Sequence, residues 1–139
     1  MKLFVDTNIF LRFFLNDHKI QSPTARKLFS EAKKRKVNLV TNCLIIAEII
    51  FTLDSIYNFP KREIIEKIQA VLVFEGLEVL EKDILLQAIS FYEKKNIDFI
   101  DAFVAAYALE NKIGVCSFDH DYDKIKEIKR INPAESEEK

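Results

Sequence analysis

Four carboxylates in this chain stand beside strongly apolar sequence. Asp6 directly follows Leu3-Phe4-Val5, and Glu48 interrupts the run from Leu44 to Phe51. Asp101 heads Ala102-Phe103-Val104-Ala105-Ala106-Tyr107-Ala108-Leu109, and Asp119 follows Gly114-Val115-Cys116-Ser117-Phe118. An ionised carboxylate against apolar surface is costly unless a cation or hydrogen-bond donors compensate it. Brought together, four such groups make an oxygen-rich cage for a divalent metal. Oxygen-only ligands favour Mg²⁺ or Mn²⁺ over zinc, which prefers nitrogen or sulfur. Several carboxylates around one or two such ions suit in-line hydrolysis of a phosphodiester. Without metal, the same cluster would repel itself and raise its pKa values.

Each acid also has a bland reading. Asp6, Thr7 or Asn8 could cap a following helix. Glu48 is the sole charged residue between Cys43 and Phe51, and its helical neighbours are Leu44, Ile45, Phe51 and Thr52. That places it against largely apolar surface, where a metal ligand and a buried salt bridge are both open readings. Asp98 suits a helix N-cap, with Asp101 at the third helical position. Asp101 fits that role less well, because its face continues through Val104, Ala105 and Ala108. It reads as the ligand, with Asp98 as cap or helper. In the acid-dense Ser117-Phe118-Asp119-His120-Asp121-Tyr122-Asp123, Asp119 is nearest the strand end and the best ligand candidate. Asp121 and Asp123 read as exposed or capping, and His120 as a lone surface histidine.

The elements that must position these groups follow from pattern. Residues 2–5 read as a short buried strand and 8–15 as a helix. Ser22 as N-cap and Pro23 as first helical residue open a helix to about Arg35. Residues 38–41 read as a second strand, after which Asn42 caps a helix to about Tyr57. Pro60 starts another, to about Phe74, and Gly76 stops it. Residues 77–80 are a third strand, 82–95 and 99–112 are helices, 113–117 a fourth strand and 128–131 a short fifth. Residues 132–139 form a polar, Pro-containing tail, expected to fray. Short strands alternating with helices imply a parallel sheet with helices on both faces. In such sheets ligands bind beyond the carboxyl ends of the strands, and both Asp6 and Asp119 lie just after strands.

At 139 residues one domain is expected, residues 1–131, ahead of the tail. Apolar residues at 49% and charged at 31% fit a soluble globular chain that can bury a core. A net charge of −1 argues against a wholly basic nucleic-acid coat while leaving room for a local basic rim. Cys43 and Cys116 lie in apolar sequence and read as reduced, buried thiols. Asp6 breaks the opening apolar run, so no secretory signal is visible. The stretch from Ala102 to Leu109 falls far short of the ~20 residues of a membrane helix. The expectation is a cytoplasmic protein with no membrane segment.

Val5-Asp6-Thr7-Asn8-Ile9-Phe10-Leu11-Arg12, the helical Glu48, Asp98-Phe99-Ile100-Asp101-Ala102-Phe103-Val104-Ala105-Ala106 and Ser117-Phe118-Asp119 together resemble the PIN-domain nucleases. Within that superfamily the chain looks most like the VapC-type toxins of toxin–antitoxin pairs. The resemblance spans nearly the whole chain, with motif order and spacing intact. It implies a three-layer α/β/α sandwich with a short-stranded, mainly parallel central sheet. It also implies a Mg²⁺- or Mn²⁺-dependent endoribonuclease whose ligands map onto Asp6, Glu48, Asp101 and Asp119. Asn8 would help orient Asp6 or the water, and Ser117 stands where the family often has threonine. A homodimer silenced by a small antitoxin protein is implied as well.

RNA approaching such a pocket needs cations at its rim. Arg12 lies one helical turn beyond Asn8 and is a candidate phosphate contact. Lys33-Lys34-Arg35-Lys36 ends a helix, where its charges suit the dipole, so it reads as a solvated face. Phe10, Phe13, Phe14, Leu15, Phe51, Phe59 and Phe74 offer much apolar surface, and an exposed patch among them would suit a partner. Two rivals stand beside the nuclease reading. A haloacid-dehalogenase-like phosphatase usually carries a second aspartate two residues after the first, where this chain has Asn8. A catalytically inactive PIN-like module that binds RNA or protein would have no need of a repulsive acid cluster.

Overall fold

The computed structural model describes residues 1–136. The chain divides into two compact units after Lys82. In the first, β1 (Lys2–Phe4), β2 (Asn38–Thr41) and β3 (Leu77–Val79) form a sheet in the order β1-β2-β3. Both pairings are parallel, with Leu3 opposite Leu39 and Leu39 opposite Leu77. Parallel neighbours require long crossovers. Helices α1 (Thr7–Leu15) and α2 (Gln21–Lys33) supply the first, and α3 (Cys43–Ser55) and α4 (Lys61–Leu72) the second.

The apolar stripes explain why these segments are helices. In α4, Ile64, Ile65, Ile68, Val71 and Leu72 are buried, one face of a helical period. In α3 the buried stripe is Ile46, Ile49, Ile50 and Leu53. Each such side chain contributes roughly 1.5–3 kcal/mol by leaving water. Asn42 caps α3, its side-chain oxygen accepting from the amides of Leu44 (3.1 Å) and Ile45 (3.4 Å). Gly76 has φ +93°, and a Cβ there would sit 2.2 Å from the Ala32 carbonyl oxygen. Only glycine lets the turn before β3 approach the end of α2 this closely.

Several expectations are corrected. β1 is an edge strand with Leu3 and Phe4 exposed, so the opening run is not buried; Val5, just past its end, is. Ser22 is no N-cap: it lies inside α2, fully buried, its Oγ accepting from the His18 amide. The N-cap position falls to Ile20, and His18 sits just ahead of it, its Nδ1 accepting from Ile20 N (3.2 Å) and Gln21 N (2.9 Å). Both cysteines are free as expected, yet Cys116 is exposed and Cys43 half-buried. Among the aromatic residues, Phe10 is buried, Phe14, Phe59 and Phe74 are half-buried, and Phe13 and Phe51 are exposed. Phe10, Phe13, Phe14, Phe29 and Phe74 share the wall of an apolar cavity of about 60 Å³.

The second unit begins at Asp83. Its helices are α5 (Lys82–Lys94), α6 (Phe99–Asn111) and the single turn α7 (Pro133–Ser136). Here β4 (Val115–Cys116) pairs in parallel with β5 (Arg130–Ile131) as a separate two-stranded sheet. The strands therefore belong to two sheets, where the alternation suggested one. A 3-10 turn, His120–Lys124, joins them, and α6 packs against both β4 and this turn. The expected frayed tail is helical at Pro133–Ser136; its remainder, 137–139, lies outside the described residues. Among the described residues no helix is long and apolar enough to cross a membrane.

Candidate metal centre

In the second unit, Asp98 takes the N-cap position of α6 with extended backbone, φ −69° and ψ 156°. Its side chain makes no capping bond and is exposed. Asp101 lies in the first helical turn, where the helix N-terminus favours negative charge. Behind it Ala102, Ala105, Ala106 and Ala108 are buried, the small-residue stripe that packs α6 closely.

The acidic loop is folded by its own hydroxyl and carboxylate. Ser117 Oγ accepts from the Asp119 amide (2.9 Å), and Asp119 Oδ1 accepts from the Asp121 amide (2.8 Å), starting the 3-10 turn. Arg130 of β5 closes the loop at both ends. Its Nη1 donates to the Ser117 carbonyl (3.1 Å) and its Nε to Asp123 Oδ1 (2.9 Å). The Arg130 bond to Asp123, with one from His120, holds the Asp123 carboxyl below its ordinary range. His120 is largely exposed, as a surface histidine should be.

This folding brings Asp101, Asp119 and Asp121 together. One carboxylate oxygen from each lies within 4.8 Å of the others. Ions of the Mg²⁺ class hold oxygens at about 2.1 Å in octahedra, so adjacent ligands stand about 3.0 Å apart and opposite ones about 4.2 Å. The three oxygens are near enough to converge on one such ion once the side chains draw in, and an all-oxygen donor set suits a hard cation. The Asp101 carboxyl is raised, first by burial and then by the charges of Asp119, Asp98 and Asp121, against a lowering bond from Tyr122. The Tyr122 phenol is pushed up to about 12 by burial and by the facing Asp101. Asp121 also pairs with Lys124 at 2.9 Å, an exposed contact of small worth.

In the first unit, Asp6 and Glu48 stand on either side of Thr7. Asp6 caps α1, its Oδ1 accepting from the Thr7 amide (2.7 Å). The buried Thr7 hydroxyl donates to Glu48 Oε1. Glu48 is exposed, which corrects the expected burial against apolar surface. Its neighbours were read correctly but their face is open: Leu44 is 73% and Phe51 64% exposed, opposite the buried stripe of α3. Asn8 is exposed and, among the described residues, its side chain has no hydrogen-bond partner. Arg12 is engaged with Asp17 at 2.8 Å, its side chain 17% exposed and its Nε buried without a partner.

The sequence reading names Asp121 only as exposed or capping and does not single out Tyr122 or Arg130. Asp121 has a signal, an acid two residues after Asp119, but that position suits an exposed or capping acid equally well. Tyr122, the one large apolar body in a polar turn, was a signal for an anchor. Arg130 had none.

Comparison with known proteins gives three findings. The family model for the PIN domain matches residues 3–128. A VapC ribonuclease of Aquifex aeolicus (strain VF5) is 28% identical over 136 residues, spanning 97% of this chain and 98% of the relative. Among solved structures, the Sarcin-Ricin loop cleaving toxin VapC20 of Mycobacterium tuberculosis covers 87% of this chain and 92% of its own, with 18% identity and a TM-score of 0.41.

Proposed function

The chain belongs to the PIN-domain family, and from that premise we propose that it is a metal-dependent endoribonuclease, the toxin of a toxin–antitoxin pair. One observation carries the metal-dependent part: the carboxylate oxygens of Asp101, Asp119 and Asp121 gathered in a member of this family. The VapC ribonuclease that matches the chain from end to end supports RNA as the substrate.

Asp101 and Asp119, with Asp121 beside them, are the groups to hold Mg²⁺ or Mn²⁺ in the second unit. The motif assigns the same role to Asp6 and Glu48 in the first. When bound, such an ion supplies Lewis-acid polarisation of a phosphate oxygen and a lower pKa for water. The chain's own residues do the rest. Ser117 and Arg130 set the loop that presents Asp119. Thr7 steadies Glu48, and Asp98 adds negative charge at the head of α6. Neither Asn8 nor Arg12 has a contact that assigns it a role, and Arg12 would have to leave Asp17 to meet a phosphate. A small antitoxin and a second copy of the chain are the expected partners in the cytoplasm. The exposed rings of Phe13 and Phe51 and the side chain of Leu44 support a surface that a partner covers.

Incubating the purified chain with mixed RNAs tests this reading. Cleavage is expected with Mn²⁺ and not with EDTA; cleavage in both conditions, or in neither, contradicts it. In the same assay Asp6→Asn is expected to cut roughly 100-fold more slowly or worse, the scale of losing one group that stabilises transition-state charge. Its melting temperature should stay close to wild type, because asparagine caps α1 as aspartate does. Undiminished cleavage by that variant would refute the role given to Asp6.

A further inference from the structure

We infer that Tyr122 is a positioning residue of the metal centre, its phenol O–H fixing the Asp101 carboxylate in the orientation that grips a divalent cation. This rests on the nuclease reading for the presence of the metal, and otherwise on geometry. Tyr122 belongs to the 3-10 turn His120–Lys124, where every other residue is polar, and is only 6% exposed. That turn packs against α6. The hydroxyl donates to Asp101 Oδ1 over 3.1 Å, and among the described residues this carboxylate accepts no other hydrogen bond.

A buried aromatic ring has few orientations, so its hydroxyl is a fixed point. The short aspartate side chain has two torsions, and one firm donor on one oxygen is enough to set both. A carboxylate offers about four lone-pair sites, so the bond leaves Oδ2 and part of Oδ1 for a cation. The same turn is opened by Asp119 and contains Asp121. Tyr122 therefore ties the turn that carries two acids to the helix that carries the third. Metal-ligating carboxylates are commonly held by such an outer donor, and its loss costs about 10- to 100-fold in metal affinity. Phenylalanine would fill the same space and lack only the donor, so the contribution of one oxygen atom is separable from that of the ring.

Calorimetric titration of the full chain with Mn²⁺, in the absence of RNA, tests the inference. Tyr122→Phe is expected to bind Mn²⁺ about 10- to 100-fold more weakly while melting within a few degrees of wild type. Its RNA cleavage should fall at limiting Mn²⁺ and recover at saturating Mn²⁺. Placed on Asp101→Asn, the same change should weaken Mn²⁺ binding no further, because the group it acts through has lost its charge. An unchanged Mn²⁺ affinity in Tyr122→Phe overturns the inference. So does an equal additional loss on the Asp101→Asn background, or a Tyr122→Phe protein without a cooperative melt, which would make the hydroxyl structural. Wild-type protein that neither binds Mn²⁺ nor cuts RNA would sink the nuclease reading itself, a failure visible before any variant is made.

Discussion

Burial is the largest reason that the Asp101 carboxyl titrates above its ordinary range, and Asp119, Asp98 and Asp121 push the same way. A folded-state pKa above the unfolded value makes protonation favour the fold. That contribution is fully present below the ordinary carboxyl pKa of about 3.9 and is lost as pH rises through the raised value. Near neutrality the ionised group is a cost that a bound cation offsets. Asp101→Asn should therefore melt at the same temperature as wild type or higher in EDTA, with the gap between them closing as pH falls into the carboxyl range. The same variant should lose metal-dependent cleavage by roughly 100-fold or more. Thermal melts across pH in EDTA check the first part, and a variant that melts lower at neutral pH would contradict it. Asp101 and Asp119 were legible because a charged residue beside an apolar run is visible in one dimension. The bond from Tyr122 spans 21 positions and the clamp from Arg130 to Ser117 spans 13, so no local pattern encodes either.

The elements carry their own evidence of design. β2, the Asn42 cap and the turn at Gly76 stand where the sequence placed them, because caps and glycines act on neighbouring backbone. Misreadings came where tertiary context decides. Whether Leu3 and Phe4 are covered depends on β1 being an edge strand, and whether Glu48 is covered depends on which face of α3 meets the core. A helix as apolar as α3 hides that choice, since Leu44 and Phe51 look as core-like as Ile46 and Ile49. The start of α2 shows a different limit: the buried Ser22 Oγ takes the His18 amide and the His18 ring takes the amides of Ile20 and Gln21, a pairing of side chains four apart that the type of neither residue announces. At this scale Gly76 is the position most sensitive to change. A methyl group there meets the backbone of Ala32 and forces a side chain into φ +93°. Gly76→Ala is expected to cost about 2–3 kcal/mol, read as a lower midpoint of urea unfolding with an unchanged slope. A midpoint equal to wild type would show that the turn and α2 can move apart freely.

For the molecule as a whole, the alternation of short strands and helices gave the α/β class, and among the described residues all three strand pairings are parallel. Alternation does not say which strands pair, so the division into sheets of three and two strands was invisible before the fold. The family was legible because four separated acidic motifs keep their order and spacing, and the PIN-domain match over residues 3–128 agrees. What the family supplies is a reaction; what this chain supplies is a set of carboxylates placed by a helix start and a 3-10 turn. The most direct measurement of that placement is an anomalous difference map from crystals soaked in Mn²⁺. A peak ligated by carboxylate oxygens of Asp101 and Asp119 is the predicted result. Ordered carboxylates at those two positions with no Mn²⁺ between them, in crystals that carry the ion elsewhere or not at all, would contradict the account.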